Sequence, residues 1–179
     1  MFEHHIRFIM EVNRGECRDS PISISKQNDT TDLDFNITGS SAKYLELAEV
    51  APYSEPFGRN ALNERWISVY DFAKWIWKKI IENKEGKYGD TCKNTILLLY
   101  ITRWEFLINQ SILHCLIWTL KNKGCRFYSV YLMQSGGDDL NLIYRLYPND
   151  HPADHPRRFR DNKYKNLRPG ENSWCISEP

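Results

Sequence analysis

TDLDFNITGSSAKYLELAEVA, residues Thr31 to Ala51, decides how this chain folds. Two short extended runs face each other across a Gly39-Ser40-Ser41 turn. Successive strand residues point to opposite faces of a sheet, so each run is expected to bury alternate side chains. Both runs interrupt that pattern with acids: Asp34 in LDFNI, and Glu46 and Glu49 in YLELAEV. A carboxylate within a strand is costly unless it is paired, protonated or bound to a metal. The two runs therefore point to a carboxylate site for a divalent cation.

Each acid also has a plainer explanation. Asp34 can bond Thr31 or a backbone amide, the local habit of aspartate. Glu46, flanked by Leu45 and Leu47, suits a buried ion pair with Arg59 or Arg65. Glu49 suits a satisfied acid at a strand end, and alternation puts it on the face opposite Glu46.

Upstream, PISIS (Pro21 to Ser25) alternates apolar and hydroxyl residues and reads as an edge strand, which completes a three-strand antiparallel meander. Residues 2–13 fit a short amphipathic helix. Downstream, Pro52, Pro56 and Gly58 punctuate a loop. A long helix is expected from Leu62 to Asn83, with Leu62, Trp66, Val69, Ala73, Ile76 and Ile80 on one apolar face. A loop follows around Lys84 to Lys93, and then NTILLLYIT, whose unbroken apolar run suits a central strand covered on both faces. A second helix is expected from Glu105 to Leu120, with Gly124 beyond its end. CRFYSVYLM and LNLIYRLYP read as two further strands joined by a turn at Gly136 to Asp139, and Pro148 stops the last one.

The expected architecture is one α/β domain over residues 1–148. It has a mixed central sheet of five or six strands, with the three-strand antiparallel meander at one side and helices on both faces. Residues 149–179 carry a basic cluster with almost no apolar period and read as a flexible polar tail.

Composition removes several function classes. Lys and Arg number 24 against 23 Asp and Glu, a net charge of +1, so any nucleic-acid contact must come from local clustering. The five cysteines, Cys17, Cys92, Cys115, Cys125 and Cys175, form no CxxC pair, which argues against structural zinc and for reduced thiols. No apolar run is long enough to span a bilayer, and the N-terminus has no secretory core, so a cytoplasmic protein is expected. His151 and His155 have a metal-binding spacing only if helical, and Pro152 and Pro156 oppose a helix. No Gly-rich phosphate loop follows a strand.

The order helix, meander, long helix, strand, helix, strand resembles the core of the PD-(D/E)XK, or restriction-endonuclease-like, superfamily. In that family an acid opens the second core strand and a Glu-x-Lys lies on the third. Asp34 and Glu46 match those acids, whereas Ala48 stands in place of the lysine. The region from Phe35 to Pro148 is also similar to a group of uncharacterised bacterial proteins. It shares with them Glu46-Leu47-Ala48-Glu49, Ala51-Pro52, Tyr88-Gly89, Leu97-Leu98-Leu99-Tyr100, Thr102-Arg103-Trp104 and Tyr147-Pro148. The resemblance implies a Mg²⁺-dependent nuclease with Asp34 and Glu46 as metal ligands and nucleic acid as partner. Two carboxylates with retained waters suit Mg²⁺. Glu49 would be an accessory acid, and Arg65 on the long helix a phosphate-stabilising cation, since an arginine is too basic to act as a general base. Ala48 keeps open an alternative: a catalytically inactive relative serving as a protein- or nucleic-acid-binding module in a defence or mobile-element system. Nothing in the sequence fixes the oligomeric state.

Overall fold

The apolar run after Asn94 forms β4 (Thr95–Ile101), an interior strand whose Leu97, Leu98 and Leu99 are fully buried. A computed structural model describes residues 23–26, 33–51, 69–101, 108–135 and 141–149. Around β4 the strands follow chain order as β1 (Ser23–Lys26), β2 (Phe35–Thr38), β3 (Tyr44–Glu49), β4, β5 (Ser129–Ser135) and β6 (Asn141–Tyr147). β1, β2 and β3 pair antiparallel, as the meander requires. β3, β4 and β5 run parallel, and β6 returns antiparallel.

Parallel neighbours need a crossover, and here each crossover is helical. The first contains α1 (Val69–Ile76), a π-helical turn at Trp77–Ile81, α2 (Glu82–Tyr88) and a 3-10 turn at Gly89–Asn94. The second contains α3 (Gln110–Lys123). Phe72, Ile76, Ile81, Leu116 and Leu120 from these helices pack on Ala48, Leu97, Leu99 and Val130 of the sheet. The opposite face buries Leu45, Ile96, Leu98 and Tyr131, which belong to strands alone.

Two expectations are corrected, and a third is met in part. The described helices lie on one face of the sheet, because β3, β4 and β5 advance in one direction and crossovers of one hand then fall on one side. The chain from Lys84 to Tyr88 is helix rather than loop, even though Glu82 to Lys87 holds no apolar residue. The second helix starts at Gln110, where Asn109 Oδ1 accepts the Ile112 amide as an N-cap, rather than at Glu105. The N-terminal helix, the segment 52–68 with Arg59 and Arg65, the turn 136–140 and the tail from 150 lie outside the described residues.

The π turn sets the geometry of the site. Val69, Phe72, Ala73 and Ile76 are buried at ordinary helical spacing. The next fully buried residue is Ile81 and not Ile80, a step of five. One extra residue in the turn rotates the inward stripe, and steps of three and four from Ile81 then reach Lys84 and Tyr88. A polar stretch is thereby aimed back at the sheet.

Candidate functional site

Glu46 is 3% exposed, the only buried carboxylate among the described residues. Alternation along β3 puts it on the helix-covered face with Ala48, while Leu45 and Leu47 face the other way. Its Oε1 accepts two bonds from α2: one from the Lys84 ammonium, in an ion pair, and one from the Tyr88 hydroxyl at 2.8 Å. Its Oε2 is buried and has no hydrogen-bond partner among the described residues. Lys84 is itself 23% exposed along its side chain, so the pair lies between core and surface. The Tyr88 ring carries two ammonium groups, Lys84 at 5.8 Å and Lys87 at 5.2 Å from its centroid, within cation–π range.

The frame around this cluster is tied down from α2 to β5. Glu85 Oε1 accepts the Arg126 amide at 2.8 Å, and Asp90 pairs with Lys93 at 2.9 Å and Arg126 at 3.6 Å. Lys93 and then Arg126 hold the Asp90 carboxyl below its ordinary value. Gly89, with φ of 54°, ends α2 in the left-handed region and turns the chain toward β4.

Asp34 lies just before β2, and its Oδ2 accepts the Leu47 amide at 2.7 Å. The carboxylate thus extends the β2–β3 ladder past its last backbone pair, the plainer role foreseen for it. The register Phe35 with Leu45 and Asn36 with Tyr44, continued by one step, brings position 34 across from position 46. Asp34 and Glu46 share no hydrogen-bonding partner among the described residues. Glu49 is exposed at the end of β3, opposite Tyr100 of β4. Burial, then Glu49, then Asp34 push the Tyr100 phenol up. Among the described residues no three His, Cys, Asp or Glu side chains gather as a metal site.

Sequence reasoning found Asp34, Glu46 and Glu49 but missed Lys84 and Tyr88. A signal was present: the pair is spaced four apart and in phase with Ile81. The heptad running through Ile80 concealed it. The partner expected for Glu46 was an arginine at 59 or 65, and both positions lie outside the described residues.

The comparisons with known proteins add no assignment: no family model, no curated protein and no solved structure matches the chain. No described helix is long and apolar enough to cross a membrane. Cys92, Cys115 and Cys125 are free thiols.

Proposed function

We propose that this chain is a divalent-metal-dependent, nuclease-like protein of restriction-endonuclease-like fold that acts on nucleic-acid phosphodiesters around Glu46. The observation that carries the reading is the Glu46 carboxylate: Lys84 and Tyr88 hold one oxygen, and the other is buried with no hydrogen-bond partner among the described residues. An orphaned buried carboxylate oxygen is costly, and a hard cation with oxygen ligands is a natural remedy.

The residues fit Mg²⁺, which is commonly bound through one or two carboxylates with retained waters. Glu46 Oε2 and the Asp34 oxygen not bonded to Leu47 would hold it. A bound Mg²⁺ supplies an activated water and charge neutralisation at the phosphate. Lys84 takes the cationic role that Ala48 leaves vacant: its ammonium fixes Glu46 and stabilises charge developing on the phosphate. The Tyr88 hydroxyl fixes the carboxylate plane, and the Leu47 amide fixes Asp34. Glu49 is exposed on the opposite face of β3 from Glu46, so the accessory role implied for it falls away from this ion. Arg65 remains a candidate phosphate cation outside the described residues.

The test is cleavage of DNA and RNA in Mg²⁺ or Mn²⁺ by wild type, Asp34→Ala, Glu46→Ala and Lys84→Ala, each checked for folding by circular dichroism. Activity in wild type that disappears in all three supports the reading. Cleavage that survives Glu46→Ala sinks it.

A second reading, a catalytically inactive binding module, is favoured by a different observation. Lys84 already balances the charge of Glu46, and Leu47 already satisfies one Asp34 oxygen. Folded wild type that cleaves neither nucleic acid with either metal supports this alternative.

A further inference from the structure

A cavity of about 660 Å³ lies between the first half of α3 and the edge of the sheet at β6. Three strand steps separate β6 from β3, about 14 Å at the usual strand spacing, so the cavity is distinct from the Glu46 cluster. Its size suits a ligand or an inserted side chain.

One wall is apolar and held in place. Ile108, Leu113 and Ile117 line it, each 9% exposed or less. The buried Gln134 amide of β5 grips Ile108 from both sides, accepting its N–H at 2.7 Å and donating to its carbonyl at 3.0 Å. Asn109 caps the helix that follows.

The other wall is β6, the outermost strand of the sheet among the described residues. Ile143, Tyr144 and Arg145 line the cavity in succession, although alternation points their side chains to opposite faces. Consecutive strand residues share a cavity when it runs along their backbone. Asn149 Nδ2 donates to the Arg145 carbonyl at 2.6 Å, so this stretch of β6 already holds an amide donor beside the cavity. An outermost strand leaves alternate N–H and C=O groups without a ladder partner on its open side.

The two sheet edges differ. β1 has four residues, carries Lys26 and is largely exposed, the usual protection of an edge. β6 has seven residues, NLIYRLY, and a single charge, Arg145, which has no carboxylate partner among the described residues.

We propose that this cavity docks an extended peptide segment of a protein partner. The segment adds to β6 at Ile143, buries one bulky apolar side chain against Ile108, Leu113 and Ile117, and places an acidic residue beside Arg145. Main-chain bonds along the edge hold such a segment, and the side pocket selects it. A second copy fits less well, because NLIYRLY has no acid to meet Arg145.

Fluorescence polarisation on the full chain, with labelled pentapeptides Val-Asp-Leu-Asp-Val and Val-Lys-Leu-Lys-Val, tests this, because alternation puts the residue next to leucine on the Arg145 face. The acidic peptide is expected to bind saturably, about fivefold tighter than the basic one, as one exposed ion pair allows. Arg145→Glu changes an exposed side chain and is expected to reverse that preference. N-methylation of the central leucine, which removes a strand donor, is expected to weaken binding further. Absence of saturable binding overturns the proposal, as does an order of affinities unmoved by Arg145→Glu and N-methylation. A wild-type dimer by sedimentation that Ile143→Pro dissociates would assign the edge to a second copy and overturn it too.

Discussion

Glu46 and Lys84 bind each other across 38 positions of chain, and breaking the pair from one side leaves a charge stranded in the core. Lys84→Ala is expected to cost about 3–5 kcal/mol, the range for an unpartnered buried ion. The double replacement Glu46→Leu with Lys84→Met should recover most of that loss, because it removes both desolvated charges. Urea unfolding of the three variants measures both numbers, and a Lys84→Ala cost below about 0.5 kcal/mol would show a solvated, idle pair. A second prediction at this scale concerns pH. Burial pushes the Cys125 thiol from 9.0 up to about 12, and burial with Glu49 and Asp34 raises Tyr100. Raised acids hold protons more tightly when folded, so their stabilisation is complete below the unfolded values and drains away as pH rises through the folded ones. Stability should therefore fall from about pH 9 toward pH 12, and Cys125→Ala should flatten that decline in urea titrations at stepped pH. Glu46 was legible in the sequence because an acid between two leucines contradicts its surroundings. Lys84 was not, since one lysine in ENKEGKYGD resembles its neighbours until the helix phase is known.

That phase belongs to the helix. The heptad from Val69 through Ile76 points to Ile80, but the π turn buries Ile81 completely and leaves Ile80 partly exposed. Ile81→Ala should then cost about 2–5 kcal/mol, and Ile80→Ala clearly less, by thermal or urea unfolding. Equal costs would mean that the helix continues in α register through this turn. Periodicity recovered α1 and α3 because their apolar residues recur, but a single inserted residue leaves the sequence pattern ambiguous between two faces. The start of α3 has a similar cause. Glu105 looked like a first turn, whereas Asn109 supplies the cap oxygen, and Asn109→Ala should cost about 1 kcal/mol.

For the whole molecule, the mixed α/β sheet and its antiparallel meander were readable, since period-two runs and one unbroken apolar strand signal their own places. The side on which the helices pack was not readable, because it depends on the order in which parallel strands line up, which no local pattern encodes. The site inherits this arrangement: α2 reaches Glu46 only because the first crossover returns over the face that β3 turns inward. Metal binding at Glu46 is what separates a nuclease-like site from an idle ion pair. Calorimetric titration of Mn²⁺ into wild type, Glu46→Gln and Lys84→Met reads this without a substrate. Saturable binding by wild type is predicted, weakened at least about tenfold in Glu46→Gln by loss of the ligand charge, and tightened in Lys84→Met by removal of a competing cation. No binding to folded wild type, or equal affinity in Glu46→Gln, would contradict it.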